Sequence, residues 1–331
     1  MRSIFLNDGS SVPYVWHETQ IKVLKAEFGL DDKVYKKSDL NSEDFKDVVF
    51  IFSTWGMPSL SSEEIKTIFP SLEAVFYAAG SVQYFARPFI ESGVMVFSAW
   101  AANAVPVAEF ATAQIILAAK GYFSAFGVKS AADRAEKQRL SHMYPGNYRV
   151  NVGILGAGQI GKLVIKLLKQ NYNVKIKVFD PFLPDSEAGK LGVEKTDMET
   201  IFFTCTVISN HLANNKDTQK IINRKCLEKM LPYAVFINTG RGAQVDDEAL
   251  IDVLKSRPGA AALLDVTDPE PLPDNHPFYG MKNVFITPHI AGSQENECER
   301  MAEYMLTEAK RLISGERCEY EVTLKMLETM A

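Results

Sequence analysis

Short apolar runs, rich in β-branched and aromatic side chains, alternate along this chain with stretches whose apolar residues recur at helical spacing. The runs Val48–Ser53, 73–78, 94–98, Asn151–Leu155, 174–179, 234–238, 261–265 and 284–287 predict strands, and residues 1–9 read as a further short strand followed by a turn. Several of these runs are continuously apolar, as strands covered on both faces require. Helical stretches separate them. The pattern predicts α/β architecture with parallel sheets.

The character of the chain changes near Asn103. Residues 104–120 predict a long helix with Asn103 as its N-cap and Pro106 in its first turn. Phe110, Ile115, Ile116 and Leu117 lie all round that helix, so it is either a core helix or one shared with a second copy, and a homodimer through 104–120 is expected. Residues 129–148 are polar, end in Tyr144-Pro145-Gly146-Asn147-Tyr148 and predict a connection over the surface. A second crossing is expected near Pro288. Residues 294–314 place Met301, Met305, Ala309 and Leu312 on one helical face, with Gly315 as the stop. The segment beyond Pro288 is too short for a domain of its own. The expected organisation is therefore one domain of 1–103 with 290–331, and a second, 104–289, inserted into it.

Composition narrows this picture. A length of 331 residues suits two domains of roughly 150 residues each. With 47% hydrophobic and 23% charged residues, both can build cores, which excludes disorder over most of the chain. Lys and Arg number 36 against 41 Asp and Glu, a net charge of -5 that argues against nucleic-acid binding. No uncharged apolar run approaches the roughly 18 residues of a membrane span, and the first residues turn acidic too soon for a secretory leader. Cys205, Cys226, Cys298 and Cys318 form no CxxC and no His-rich cluster, so neither a disulfide framework nor a metal site is expected. A cytoplasmic protein is the expectation.

The candidate chemistry begins at Gly153-Ile154-Leu155-Gly156-Ala157-Gly158-Gln159-Ile160-Gly161, which joins a strand to a helix. Gly156 permits a tight turn, Gly158 lets the backbone approach a pyrophosphate, and Gly161 allows close packing. The N–H groups at Gln159 and Ile160, with the positive end of the helix dipole, would carry the phosphates. The next strand ends at Asp180, 19 residues beyond Gly161 (180 − 161), where an acid accepts bonds from ribose hydroxyls and repels a 2′-phosphate. The cofactor predicted is NAD rather than NADP.

Three further strand ends carry polar loops: Asn238-Thr239-Gly240-Arg241-Gly242, Asp265-Val266-Thr267-Asp268-Pro269-Glu270-Pro271-Leu272, and Thr287-Pro288-His289. Ligands of open α/β sheets bind at such carboxyl ends. With the glycine loop, Asp180 and Asn103…Val107-Ala108-Glu109, these motifs resemble the D-isomer-specific 2-hydroxyacid dehydrogenases, which include phosphoglycerate, glyoxylate/hydroxypyruvate and D-lactate dehydrogenases. The resemblance covers nearly the whole chain and is strongest from Asn103 to Ser293. It implies two Rossmann-like or flavodoxin-like parallel-sheet domains, with the NAD-binding one inserted into the substrate domain.

By that resemblance, Arg241 would bind the substrate carboxylate and polarise its 2-oxo group. His289 would be the acid/base, and Glu270 would hold its imidazole. Hydride arriving at C2 builds charge on oxygen, which a cation stabilises and an acid neutralises. Asp265 would meet the nicotinamide carboxamide, with Thr239 and His211 among the cofactor contacts. At His211-Leu212-Ala213-Asn214-Asn215 the chain departs from the family's His-x-Pro-x-Thr. Ala79, Gly80 and Ser81 resemble a loop that cradles the substrate carboxylate with backbone N–H groups. Trp55 and Trp100 read equally well as pocket walls or core. The implied activity is interconversion of a small D-2-hydroxy acid and its 2-oxo acid. The alternative is an NAD-sensing, corepressor-like regulator on the same fold, for which a basic surface and a long disordered tail are missing. Formate dehydrogenase, a relative, is disfavoured because it pairs Gln rather than Glu with the histidine.

Overall fold

Burial on both faces turns the apolar runs into parallel strands. The computed structural model describes residues 1–328. Two compact units form, Met1–Ala104 with the chain from Ser293 onward, and Val105–Gly292.

The first unit holds β1 (Arg2–Leu6), β2 (Leu30–Tyr35), β3 (Val48–Ser53), β4 (Ala74–Tyr77) and β5 (Met95–Ser98), in the order β2-β1-β3-β4-β5. All four pairings are parallel. One face is a row of rings: Phe52 stacks on Phe76 at 5.2 Å between centroids, and Phe76 on Phe97 at 5.0 Å. The helix Asn296–Ser314 lays Cys298, Met301, Ala302, Met305 and Ala309 into the same core and ends at Gly315 in the left-handed conformation. The chain then returns along β5, where Val322 N donates to Val96 O and Ser98 N to Tyr320 O.

The second unit holds β6 (Asn151–Leu155), β7 (Lys175–Phe179), β8 (Glu194–Lys195), β9 (Val207–Asn210), β10 (Val235–Asn238), β11 (Ala261–Leu264) and β12 (Val284–Ile286). Their order is β12-β11-β10-β9-β6-β7-β8, again all parallel. From β6 the chain adds strands on one side and then crosses to β9 on the other. The point where that order reverses is where doubly wound sheets bind ligands.

The helix at the first crossing begins earlier than expected. It spans Trp100–Ala119, so Asn103 lies within it and is not its N-cap. The Asn103 N–H is already helical, donating to Ala99 O, and its side-chain Oδ1 accepts from Ser293 N at 2.9 Å. Pro106 consequently sits in the helix interior, where it removes the donor for the Ala102 carbonyl. Among the described residues this is the one helix long and apolar enough to cross a membrane, yet Ala108, Ala111, Ile115, Ala118 and Ala119 are packed in the core of the second unit. The polar stretch 129–148 also differs from expectation. It contains the helix Ala131–Ser141, capped by Ser130, whose side chain accepts from Asp133 N. None of that helix is buried, so no apolar stripe announced it.

Candidate active site

The glycine loop links β6 to the helix Gln159–Asn171. Gly156 has φ +89°, and a Cβ there would come within 2.7 Å of His211 O. A Cβ on Gly161 would strike Gly156 O, so that glycine lets the helix close on the turn itself. At Gly158 a Cβ would meet nothing within 4 Å. Among the described residues, the N–H groups of Gly158, Gln159 and Ile160 have no protein acceptor. Open space facing free donors at a helix N-terminus fits a pyrophosphate.

Asp180, directly after β7, bridges this loop. Its Oδ2 accepts from Ala157 N at 2.7 Å and its Oδ1 from Phe182 N at 2.8 Å. Each oxygen keeps a further lone pair, so the acid is held in place without being used up.

Loops from β10, β11 and β12 carry the remaining candidates. His289 Nδ1 lies 2.6 Å from Glu270 Oε1, which leaves Nε2 free to face a reactant. His289 has φ +54°, an unfavourable conformation for a side-chain-bearing residue. Its N–H holds that geometry by donating to Asp265 O and Thr287 O, each at 3.0 Å. The Asp265 carboxylate, 3% exposed, completes the clamp. Its Oδ1 accepts from Thr287 Oγ1 (2.6 Å) and Ile290 N (2.8 Å), and its Oδ2 from Ala291 N (2.9 Å). Asp265 therefore ties down both sides of the histidine.

Arg241 sits beside this pair without touching it. Its Nη1 donates to Gly240 O at 2.7 Å, and among the described residues no carboxylate is within ion-pair distance. Burial pushes the guanidinium pKa down, and the nearby Glu270 charge opposes that shift. Gly242, next in the chain, packs its backbone against Thr267 and Asp268. A Cβ there would strike Thr267 C and Asp268 N.

His211 is buried between Ser209 Oγ (2.9 Å from Nε2) and Thr239 Oγ1 (3.3 Å from Nδ1). Burial alone lowers its pKa from 6.5 to about 3, so it is neutral.

In the first unit, Ala79-Gly80-Ser81 follows β4. Ser98 Oγ reaches Ala79 O (2.9 Å) and Gly80 O (2.7 Å), turning the carbonyls inward. Ala79 N, expected to be a third donor of this loop, is instead committed to Tyr77 O at 2.9 Å; among the described residues, Gly80 N and Ser81 N have no protein acceptor. Trp55 packs partly buried on the cores of this unit, and Trp100 stands edge-on to Tyr320 at 5.7 Å.

Sequence reading missed Ser98, Asn210 and Gln244, and gave Thr287 no role of its own. The signal available was polar residues at the C-terminal ends of otherwise apolar strands, as with Asn210 after Val207-Ile208-Ser209. No group of three or more His, Cys, Asp or Glu arranged for a metal occurs among the described residues.

Residues 117–291 match the family described as D-isomer specific 2-hydroxyacid dehydrogenase, NAD binding domain. A relative from Corynebacterium melassecola, named only as an uncharacterized protein in proB 3'region, is 32% identical over 320 residues, 94% of this chain and 96% of its own length. A glyoxylate reductase from Thermofilum pendens is 38% identical over 166 residues, 50% of this chain; the match spans only 49% of that enzyme. Among solved structures, a phosphoglycerate oxidoreductase from Rhizobium etli shares the fold with a TM-score of 0.78 at 20% identity, covering 98% of this chain and 99% of that one.

Proposed function

The chain belongs to the D-isomer specific 2-hydroxyacid dehydrogenase family, and from that premise we propose that it reduces a small 2-oxo acid to the D-2-hydroxy acid with NADH, and catalyses the reverse with NAD. The observation that carries this reading is the His289–Glu270 pair, 2.6 Å apart, beside the half-buried Arg241, which among the described residues has no carboxylate partner.

The free N–H groups of Gly158, Gln159 and Ile160 would hold the pyrophosphate, and Asp180 the adenosine ribose. NADH bound there supplies the hydride. Asp180 offers only negative charge to that ribose, so NADPH is the poorer cofactor. Arg241 pairs with the substrate carboxylate and stabilises charge building on the 2-oxo oxygen. A cation partly withdrawn from water interacts more strongly with that charge than one in solvent. His289 keeps Nδ1 on Glu270 and gives a proton from Nε2 to the oxygen in reduction, taking it back in oxidation. Asp265 acts on the reaction through the geometry of the histidine loop. Within the first unit, the free N–H groups of Gly80 and Ser81 suit a carboxylate.

A panel of 2-oxo acids assayed with NADH and with NADPH, followed by loss of reduced-nicotinamide absorbance, tests this reading. Turnover with NADH preferred, and oxidation of the D but not the L product, is expected. No turnover of any 2-oxo acid overturns it in favour of a regulatory role.

A homodimer is part of the same proposal. Leu117, Tyr122 and Phe126 are 40%, 42% and 61% exposed on and just after the helix Trp100–Ala119, an apolar surface that a second copy would cover. Sedimentation at micromolar concentration should find a dimer, and a monomer rejects that part.

A further inference from the structure

Three primary amides, Asn210, Asn238 and Gln244, are buried together behind the Arg241 loop. A buried amide group left unpaired is costly, so such a cluster persists only when its members satisfy one another. Here they do. Asn210 Nδ2 donates to Asn238 Oδ1 (2.9 Å) and to Gln244 Oε1 (2.8 Å), and its Oδ1 accepts from Leu212 N (3.2 Å). Asn238 Oδ1 accepts from Gly240 N (3.0 Å), and its Nδ2 donates to Arg241 O (3.1 Å). Gln244 Oε1 accepts from Arg241 N (3.0 Å), while its Nε2 donates to Leu212 O (3.0 Å) and Ala213 O (2.9 Å).

Gln244 thus fixes the Arg241 peptide with one atom and the loop after β9 with the other. That loop is where this chain has Ala213 in place of the proline of His-x-Pro. Without a proline ring to stiffen it, its carbonyls are pinned from outside. The Arg241 guanidinium meanwhile has no carboxylate partner to aim it, so its direction depends on how firmly its backbone is held.

We propose that Gln244 is a positioning residue for Arg241, acting through the amide cluster it shares with Asn210 and Asn238. The inference rests on the reading of Arg241 as the substrate-binding cation.

Gln244→Met keeps the length of the side chain and removes both polar ends. With the best 2-oxo acid from the panel and NADH, its kcat/KM should fall on the order of ten- to a hundredfold, the scale expected of a small misplacement of a binding group. A double-mutant cycle with Arg241→Ala separates positioning from general damage. In the Arg241→Ala background, Gln244→Met should cost little further, because no guanidinium remains to be aimed. If the Gln244→Met factor persists in full there, the inference is overturned while the reading of Arg241 stands. If Arg241→Ala alone leaves kcat/KM unchanged, the reading falls and takes the inference with it. Should Gln244→Met not fold, Asn210→Leu, which withdraws the donor from Gln244 Oε1, goes through the same cycle with the same outcomes.

Discussion

In the five-stranded sheet the strand order reverses between β1 and β3, and in the seven-stranded sheet between β6 and β9. Doubly wound topology opens a crevice at the carboxyl ends of the strands in both places. The first crevice is filled by the protein itself. Asn7, fully buried after β1, donates from Nδ2 to Thr54 O (3.2 Å) and Trp55 O (2.9 Å) and accepts from Gly9 N at Oδ1 (2.8 Å). Gly56 closes over it so tightly that a Cβ there would lie 2.7 Å from Asn7 Oδ1. The second crevice is left with free N–H groups at Gly158, Gln159 and Ile160 and open space beside Gly158. Topology supplies a crevice in either case. Whether it binds anything depends on which polar groups the fold leaves uncommitted.

The contrast can be broken most forcefully at His289. His289→Ala should lower kcat on the order of 10²–10⁴-fold, as for a positioned acid/base, while NADH affinity by fluorescence titration and unfolding midpoint stay near those of the parent. Near-normal turnover would make the histidine structural. At the filled crevice the same kind of truncation should act on folding instead. Asn7→Ala strands buried partners and should cost about 1–3 kcal/mol of stability by urea denaturation, with NADH affinity unchanged. Weaker NADH binding without a stability loss would erase the distinction between the two crevices.

A further effect is one of pH. The buried His211 takes up a proton only near pH 3, whereas an unfolded chain takes it up near 6.5. Between those values the unfolded state binds more protons, so the native state gains stability as pH rises and loses it as pH falls. Asp247 carries the opposite slope, since burial and the neighbouring Asp268 and Asp246 raise its carboxyl to about 6. Comparing the parent with His211→Gln cancels that contribution. From pH 6.5 downward the parent should lose stability faster, by up to about 1.4 kcal/mol per pH unit. Parallel curves by urea denaturation at pH 6.5 and 4.5 would show that His211 is not held neutral. Asn7 does not titrate and should give no such difference.

The central strands were legible because burial on both faces leaves a continuous apolar run: Val48–Ser53 and Asn151–Leu155 are bounded in the structure as the pattern predicts. The strands that escaped the apolar pattern most completely are edges. β2 reads Leu-Asp-Asp-Lys-Val-Tyr and β8 is two charged residues, because an edge strand is not covered on both faces and need not be apolar. Asn103 misled because a cap and a helix-interior asparagine look alike until its partner is known, and that partner, Ser293, is 190 residues away. The glycine loop and the three strand-end loops could be read from local spacing. The Asn210–Asn238–Gln244 cluster could not, since Asn210 and Asn238 end different strands and meet only when β9 and β10 pair.

Gly242 bears on how this site can change over time. Its backbone lies directly on that of Thr267 and Asp268, leaving no room for even a methyl group. The loop bearing the arginine and the loop bearing the glutamate are therefore spaced by the thickness of the peptide chain, a length that no choice of side chain sets. Substitutions around the rim can reshape what the site accepts while leaving that spacing alone, so the tools of the reaction and the selection of its substrate are free to drift apart.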